Sequence, residues 1–548
     1  MSFYSKQLRR YFENHLWMII LLLLALWILS EGIAGWQYHP FRDDWFTLGY
    51  PNVWHGGSRW QFYLSYHLYA YRPLSFLIDI EILSRFWPDI AVVAAMILAL
   101  LFWSAMLWRR AFSAMWGLPF WGFVPLMLWL PLTDEGQYWI TASLGIVLSL
   151  WFLGWAWALL ARFVHGAGSS RLRLLRWMAM TLAFLAADLC YEQAWFSVIG
   201  LMAIIAFKYR KQWLPLLASP VLALMLTAFW YLSHSKGMRA NGKVANHSLA
   251  SVIQSLHNIL PQISAIWGSE ELDALKLGVH FGRVPGWWLL LVVVLASAAV
   301  WGAMANYKHR QIVPGNAQKG SPEERRSLEL LVIGGIIWAL ASYLPWLMTR
   351  YDWVADRSVS VAAPGIALIG EVIVFYVSRI GWRGVRTVAV MVLSFLLVAL
   401  VNLRAQDILA YNAANTFSAK VSMRVLKLLD QHHLRRGNLT VADPTWTFVP
   451  WTYTYHDHIS TAWDANWAVH YMLADLSRGA NLYRVTELWP HDPVHKAPSF
   501  QDTGVILTPN RPALSMVKRM DVHQAVVIQY QDGSSSPRIL RVKWYHLS

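Results

Sequence analysis

Residues 16–46, LWMIILLLLALWILSEGIAGWQYHPFRDDWF, decide the fold class. Leu16–Ile33 is apolar over the length that crosses a bilayer core. Beyond it, WQYHPFRDDWF sets Asp43 and Asp44 side by side. Hydrocarbon does not hold two adjacent ionised carboxylates. The pair therefore lies in water at the outer end of the span. The KQLRR start resembles a signal sequence. The apolar stretch is longer than a cleaved h-region, however, and no small-x-small site follows it, so it reads as a retained helix.

The rest of the chain repeats the pattern. It is 57% hydrophobic and 14% charged, where a soluble protein carries about a quarter charged residues. Its mean hydropathy is +0.36. These values predict a polytopic α-helical membrane protein. The 34 Trp and 23 Tyr fit aromatic belts at the two interfaces. The formal charge of +15 does not indicate a nucleic-acid partner, because Lys and Arg sit mostly in short turns between spans. The single cysteine, Cys190, excludes an intrachain disulfide.

Hydropathy predicts eleven spans, at 16–36, 88–108, 112–131, 138–161, 175–189, 193–207, 213–232, 284–304, 328–347, 359–378 and 386–402. Arg9, Arg10, Arg109, Arg110, Arg171, Arg173, Lys208, Arg210, Arg325, Arg326, Arg379 and Arg383 then fall on one side. The positive-inside rule makes that side cytoplasmic. Residues 175–207 read as two short helices joined by DLCYEQ, since one long helix would put KYRK outside.

Three larger parts remain, all outside. The loop 37–87 contains Pro73–Trp87, whose helical spacing puts Asp79, Glu81 and Arg85 on polar positions of an interfacial helix. The loop 233–283 starts HSKGMRANGK and is expected to be mobile there. Residues 403–548 begin helically and then give strand-like runs: NLTVADPTW, TGVILTP, QAVVIQY and RILRVKWY. The expected organisation is a membrane domain over 1–402 and a small extracytoplasmic α/β domain over 403–548.

Polar residues crowd the outer face. Asp43–Asp44 reads as a helix cap with solvation, the commoner case for an acidic pair in a loop, or as a base, since an adjacent pair raises one pKa. In YRPLS, Pro73 suits a first helical turn, and Arg72 beside free backbone N–H groups makes an anion site or an interfacial anchor. Asp134 and Glu135 precede the fourth span and cap it or face substrate. Glu192 tips the short hairpin, where burying a carboxylate is costly without a partner or a task. Arg350 and Arg357 alternate with Asp352 and Asp356 before the tenth span.

These motifs resemble those of GT-C class integral-membrane glycosyltransferases, which use polyprenyl-phosphate sugars. The nearer similarity is to bacterial relatives of O-mannosyltransferases that carry TPR repeats. The shared features are the acidic pair Asp43–Asp44, AYRPLS with Arg72, PLTDEG with Glu135, YEQ with Glu192 and ADRSVSVAAP with Arg357. The chain departs from the pattern at Asp356, where Glu is usual. It also lacks a Lys before Glu192, and no TPR repeats follow.

The resemblance implies an inverting transfer of sugar from a polyprenyl-phosphate donor to a hydroxyl on a glycan, lipid or protein. Asp43 or Asp44 is then the base, and Arg72 and Arg357 hold the donor phosphate. Tyr71, Asp134, Glu135, Glu192 and Asp356 orient substrate. No cofactor is required, although an acidic pair is compatible with Mg²⁺ or Mn²⁺. The implied location is a bacterial inner membrane, with the N-terminus cytoplasmic and the C-terminus outside. A glycan polymerase or ligase shares this chemistry. A lipid or glycan transporter needs a polar path through the spans, and charged residues there are few, with Glu31 and Glu371 the examples deepest in them.

Cysteine labelling checks the orientation. With Cys190 replaced, Ser269→Cys is expected to react with an impermeant maleimide from outside, and Ser169→Cys only after permeabilisation. Labelling of position 169 from outside inverts the topology.

Overall fold

The computed structural model describes residues 2–70, 72–133, 135–166, 169–209, 213–234, 249–310, 322–348, 354–355, 357–380, 382–442, 462–488, 503–509, 524–531 and 538–546. Its helices are α1 (Ser2–Glu31), α2 (Arg59–Ser65), α3 (Pro73–Glu81), α4 (Ile90–Trp116), α5 (Phe123–Trp129), α6 (Glu135–Tyr138), α7 (Ile140–His165), α8 (Ser170–Cys190), α9 (Ala194–Lys208) and α10 (Trp213–Ser233). There follow α11 (Leu249–Ala265), α12 (Glu271–Gly278), α13 (Gly286–Arg310), α14 (Pro322–Ala341), α15 (Arg357–Ser378), α16 (Arg383–Gln431) and α17 (Asn466–Leu476). Among the described residues 8 helices are long and apolar enough to cross a membrane. They are α1, α4, α7, α10, α13, α14, α15 and α16.

The helices depart from expectation in three places. A turn was expected at 109–111, but α4 runs on to Trp116. Nothing in RRAFSAMW breaks a helix; the stop comes at Gly117, which takes φ +73° as the left-handed C-cap. Arg109 is thus a buried helical residue that donates to the Pro119 carbonyl at 3.1 Å. The expected span 112–131 is correspondingly shortened to the 7 residues of α5. Irregular chain follows at Leu130–Thr133, all of it buried, the condition under which such backbone is tolerated at membrane depth.

The second departure is α16. Its 49 residues are continuous, so the expected boundary at residue 402 falls inside one helix. The third is the loop 233–283, which holds α11 and α12. Its beginning, 235–248, lies outside the described residues. The hairpin of α8 and α9 forms as expected, with Tyr191–Gln193 at its tip.

Beyond α16 lies a five-stranded sheet ordered β2-β1-β3-β4-β5. The strands are β1 (Arg436–Ala442), β2 (Leu482–Leu488), β3 (Thr503–Pro509), β4 (Gln524–Gln531) and β5 (Arg538–His546). β1, β2, β3 and β4 pair in parallel, and β5 closes the edge antiparallel to β4. Four of the strands were expected; β2 was not, because Arg484 and Glu487 interrupt its apolar pattern. The helix α17 lies between β1 and β2 in the chain.

The two acids expected within spans have structural partners. Glu371 accepts the backbone N–H groups of Phe120 and Gly122 at 2.9 Å each and the Tyr307 hydroxyl, fastening the start of α5 to α15. Glu31 forms a bidentate pair with Arg404 at 2.7 and 3.0 Å, and Tyr38 donates to it at 3.0 Å. This pair ties α1 to α16 with both side chains buried. Removing one partner of such a pair costs about 3–5 kcal/mol, because a bare charge is left in low dielectric. Arg404→Met is therefore expected to lower the melting temperature in nanodiscs sharply. Adding Glu31→Gln to it should restore much of the loss.

Candidate active site at the outer membrane border

The site begins at the turn after α1. Arg42 takes φ +31°, a region uncommon for a residue with a side chain. The turn is held because Asp44 reaches back to the Phe41 N–H at 2.9 Å. The other Asp44 oxygen accepts both the backbone N–H and the hydroxyl of Thr141, each at 2.8 Å. Thr141 is the second residue of α7, whose own N-cap, Trp139, provides no side-chain acceptor. Asp44 thus caps a helix almost a hundred residues away, satisfying N–H groups that the helix leaves open. Thr47 extends the network, bonding the Thr141 hydroxyl at 2.6 Å and the Asp43 carbonyl at 3.1 Å.

The neighbouring carboxylates therefore have different surroundings. Asp44 is fully buried. Burial pushes its carboxyl up to about 7 against the pull of these donors, and the Asp43 charge adds to the rise. Asp43 is half-buried and accepts the Trp467 indole N–H at 2.7 Å on Oδ1. Its Oδ2 accepts no hydrogen bond among the described residues.

Arg72 stands at the start of α3. It forms a bidentate pair with Glu192 at 2.6 Å per bond and lies 4.2 Å over the Tyr191 ring. The resemblance implies separate tasks for these two residues, on phosphate and on substrate hydroxyls; here they are paired with each other. The hairpin tip is fixed by Ser75, which donates to the Cys190 carbonyl at 3.0 Å. Gly145 of α7 permits this approach: a Cβ there would meet that carbonyl at 3.1 Å and the Tyr191 ring at 3.2 Å.

Arg357, at the start of α15, lies 5.2 Å from the Trp139 ring centroid, and Arg42 lies 6.0 Å from the same ring. Gln193 donates to Ser358 at 3.1 Å, joining the hairpin tip to α15. Asp44 and Arg357 thus meet the N-terminal turn of α7 at Thr141 and Trp139, while Arg72 and Glu192 lie beside Tyr191, whose ring faces Gly145 of the same helix. Tyr71, Asp134, Asp356 and the side chain of Glu135 lie outside the described residues.

Asp79 corrects the expected surface of α3. It was placed on a polar face, yet it is fully buried, and neither of its oxygens has a hydrogen-bond partner among the described residues. Burial holds its carboxyl well above the usual range, the Asp44 charge adds to this, and Arg72 opposes it. The spacing Arg72, Ser75, Asp79 is i, i+3, i+7, one helix face; that stripe was legible in the sequence as an inward polar face. Trp139, Thr141 and Trp467 had no such signal. Among the described residues no group of three His, Cys, Asp or Glu could hold a metal ion. Both Asp44 oxygens are already engaged, so the acidic pair does not offer an ion two carboxylates.

Compared with protein-family models, curated proteins and solved structures, the chain matches none.

A carboxyl whose folded pKa is raised stabilises the fold fully below its unfolded value of 3.8, and that stability is lost as pH rises through about 7. The melting temperature of the wild type relative to Asp44→Asn should accordingly fall between pH 4 and pH 8. A flat difference across that range would mean that Asp44 does not titrate in it.

Proposed function

We propose that the chain is an inverting glycosyltransferase that moves a sugar from a polyprenyl-phosphate donor to a hydroxyl acceptor on the outer face of the membrane. The observation carrying this reading is the setting of Asp43, whose Oδ2 accepts no hydrogen bond among the described residues and which, like Arg72, lies near enough to act on the buried Asp79. The resemblance of the acidic pair and AYRPLS to GT-C enzymes supports it. In this proposal the eleven expected crossings comprise the eight long apolar helices, α8, α9 and the stretch 117–133, of which α5 is the helical part. The N-terminus is cytoplasmic and the sheet lies outside a bacterial inner membrane.

The reaction needs a base at the acceptor and positive charge at the leaving group. Asp43 is the better base of the pair, because Asp44 spends both oxygens on the Phe41 and Thr141 donors. Asp43 takes the acceptor proton as the acceptor oxygen bonds the anomeric carbon from the face opposite the leaving group. The carbon–oxygen bond to phosphate breaks, and the phosphate leaves with the electron pair. Arg357 and Arg72 meet that charge with planar forks suited to phosphate oxygens. Glu192 holds Arg72 in place beforehand. An apolar groove of about 450 Å³ between α13 and α16, walled by Val293, Trp301, Met391 and Phe395, suits a polyprenyl chain.

Turnover of a polyprenyl-phosphate sugar by purified protein tests the proposal. Asp43→Asn should lower kcat by about 10²–10⁴, the usual worth of a positioned base. Arg72→Ala and Arg357→Ala should each lower it by about 10²–10³, as for loss of a charge-stabilising donor. Wild-type rates in all three variants would remove the proposal.

A further inference from the structure

The helix α17, which follows β1 in the chain, is seated on the first outer loop. Trp467, near its start, donates to Asp43, and Asp475, near its end, accepts the Trp87 indole N–H at 3.1 Å. Between them Tyr471 packs at 4.6 Å from Phe46 and 4.8 Å from Tyr50. The middle of the helix supplies the apolar contact, and its two ends are tied by indole–carboxylate bonds of opposite sense.

Trp467 is exposed beyond what this anchoring needs. Trp463, four residues earlier, is completely buried and donates to Ser422, so it accounts for packing against α16. Trp467 leaves 47% of its surface in solvent while its N–H is already spent on Asp43. What it presents is therefore an aromatic face beside a carboxylate with an open oxygen. An aromatic face takes an apolar surface of matching size at low entropic cost, since the ring has only two rotatable bonds. A carboxylate oxygen accepts a hydroxyl strongly. A pyranose displays both partners together, a face of C–H groups and an equatorial rim of hydroxyls. A lipid chain offers no hydroxyl to the carboxylate, and an acidic ligand is repelled by it.

We propose that Trp467 and Asp43 form the acceptor subsite and that the acceptor is a saccharide. The indole stacks on the ring, and Asp43 Oδ2 receives the hydroxyl that attacks the donor. The sheet domain thereby contributes a residue to the site through α17. This assignment rests on the glycosyltransferase reading for its role, but the binding it describes is measured without the reaction.

The test uses full-length protein in phospholipid nanodiscs, because maltoside detergents would themselves occupy such a site. Saturation-transfer NMR and tryptophan fluorescence are recorded with disaccharides of glucose, mannose, galactose and N-acetylglucosamine. The wild type should bind at least one of them. Trp467→Ala should weaken that binding at least tenfold, and Trp467→Phe, which keeps a ring, by less than threefold. Trp382→Ala removes an exposed tryptophan at the N-cap of α16, the far end of that helix, and should change nothing. Melting temperatures confirm that each variant is folded. Absence of binding to all four disaccharides, or equal binding by wild type and Trp467→Ala, overturns the subsite. Donor turnover by wild type is measured in parallel. Turnover without saccharide binding sinks the subsite alone, whereas binding lost in Trp467→Ala with no turnover sinks the enzymatic reading alone.

Discussion

The candidate site is organised by one buried carboxylate. Asp44 joins the turn after the first span to the N-terminus of α7, with one hydrogen bond inside the turn and two to Thr141. Without that junction the Thr141 N–H and hydroxyl at the start of α7 and the Phe41 N–H of the strained turn would lack their acceptor. An unsatisfied buried donor costs about 1–3 kcal/mol. The cost is structural, but its consequence is positional: Trp139, the residue before α7, carries the Arg357 contact, and the residue beside Asp44 is Asp43. Fixing one acid fixes the setting of the other.

The same arrangement divides charge from acidity. Asp44 and Asp79 are buried carboxyls held toward their neutral forms, while Asp43 opens to solvent. Arg72 lies against Glu192 and Tyr191 and is thereby kept in one geometry, since a bidentate pair limits the rotation of both side chains. Most of the order comes from bonds between segments more than 90 residues apart, such as Asp44 to Thr141 and Arg72 to Glu192.

Much of this was readable from the chain. The spans, the hairpin with Glu192 at its tip and four strands follow from local apolar runs and their breaks. Asp43–Asp44, Arg72, Glu192 and Arg357 stand out because charge beside a span is costly. What local pattern does not carry is partnership. Nothing near Asp44 says that its donor is Thr141, so the two acids looked interchangeable. Asp79 looked exposed because one polar residue on a short helix fits either face, and only the i, i+3, i+7 stripe with Arg72 and Ser75 would have turned it inward. The strand β2 was lost because its charged residues break the alternation, and Trp467 because tryptophan is abundant throughout the chain. The expected boundary at residue 402 lies inside one continuous helix, because hydropathy falls there while helix propensity does not.

That unbroken helix has a mechanical consequence. At 1.5 Å per residue, α16 is about 74 Å long, roughly twice what a bilayer core requires. Its apolar half is embedded with the other spans, and its far half packs against Trp463 and the sheet. A rigid rod held at both ends acts as a lever. A tilt of about 10° at Arg404 would sweep Gln431 through roughly 7 Å, given the 40 Å of helix between them. Bilayer thickness and lateral pressure would then be transmitted to α17 and to the Trp467 contact above Asp43.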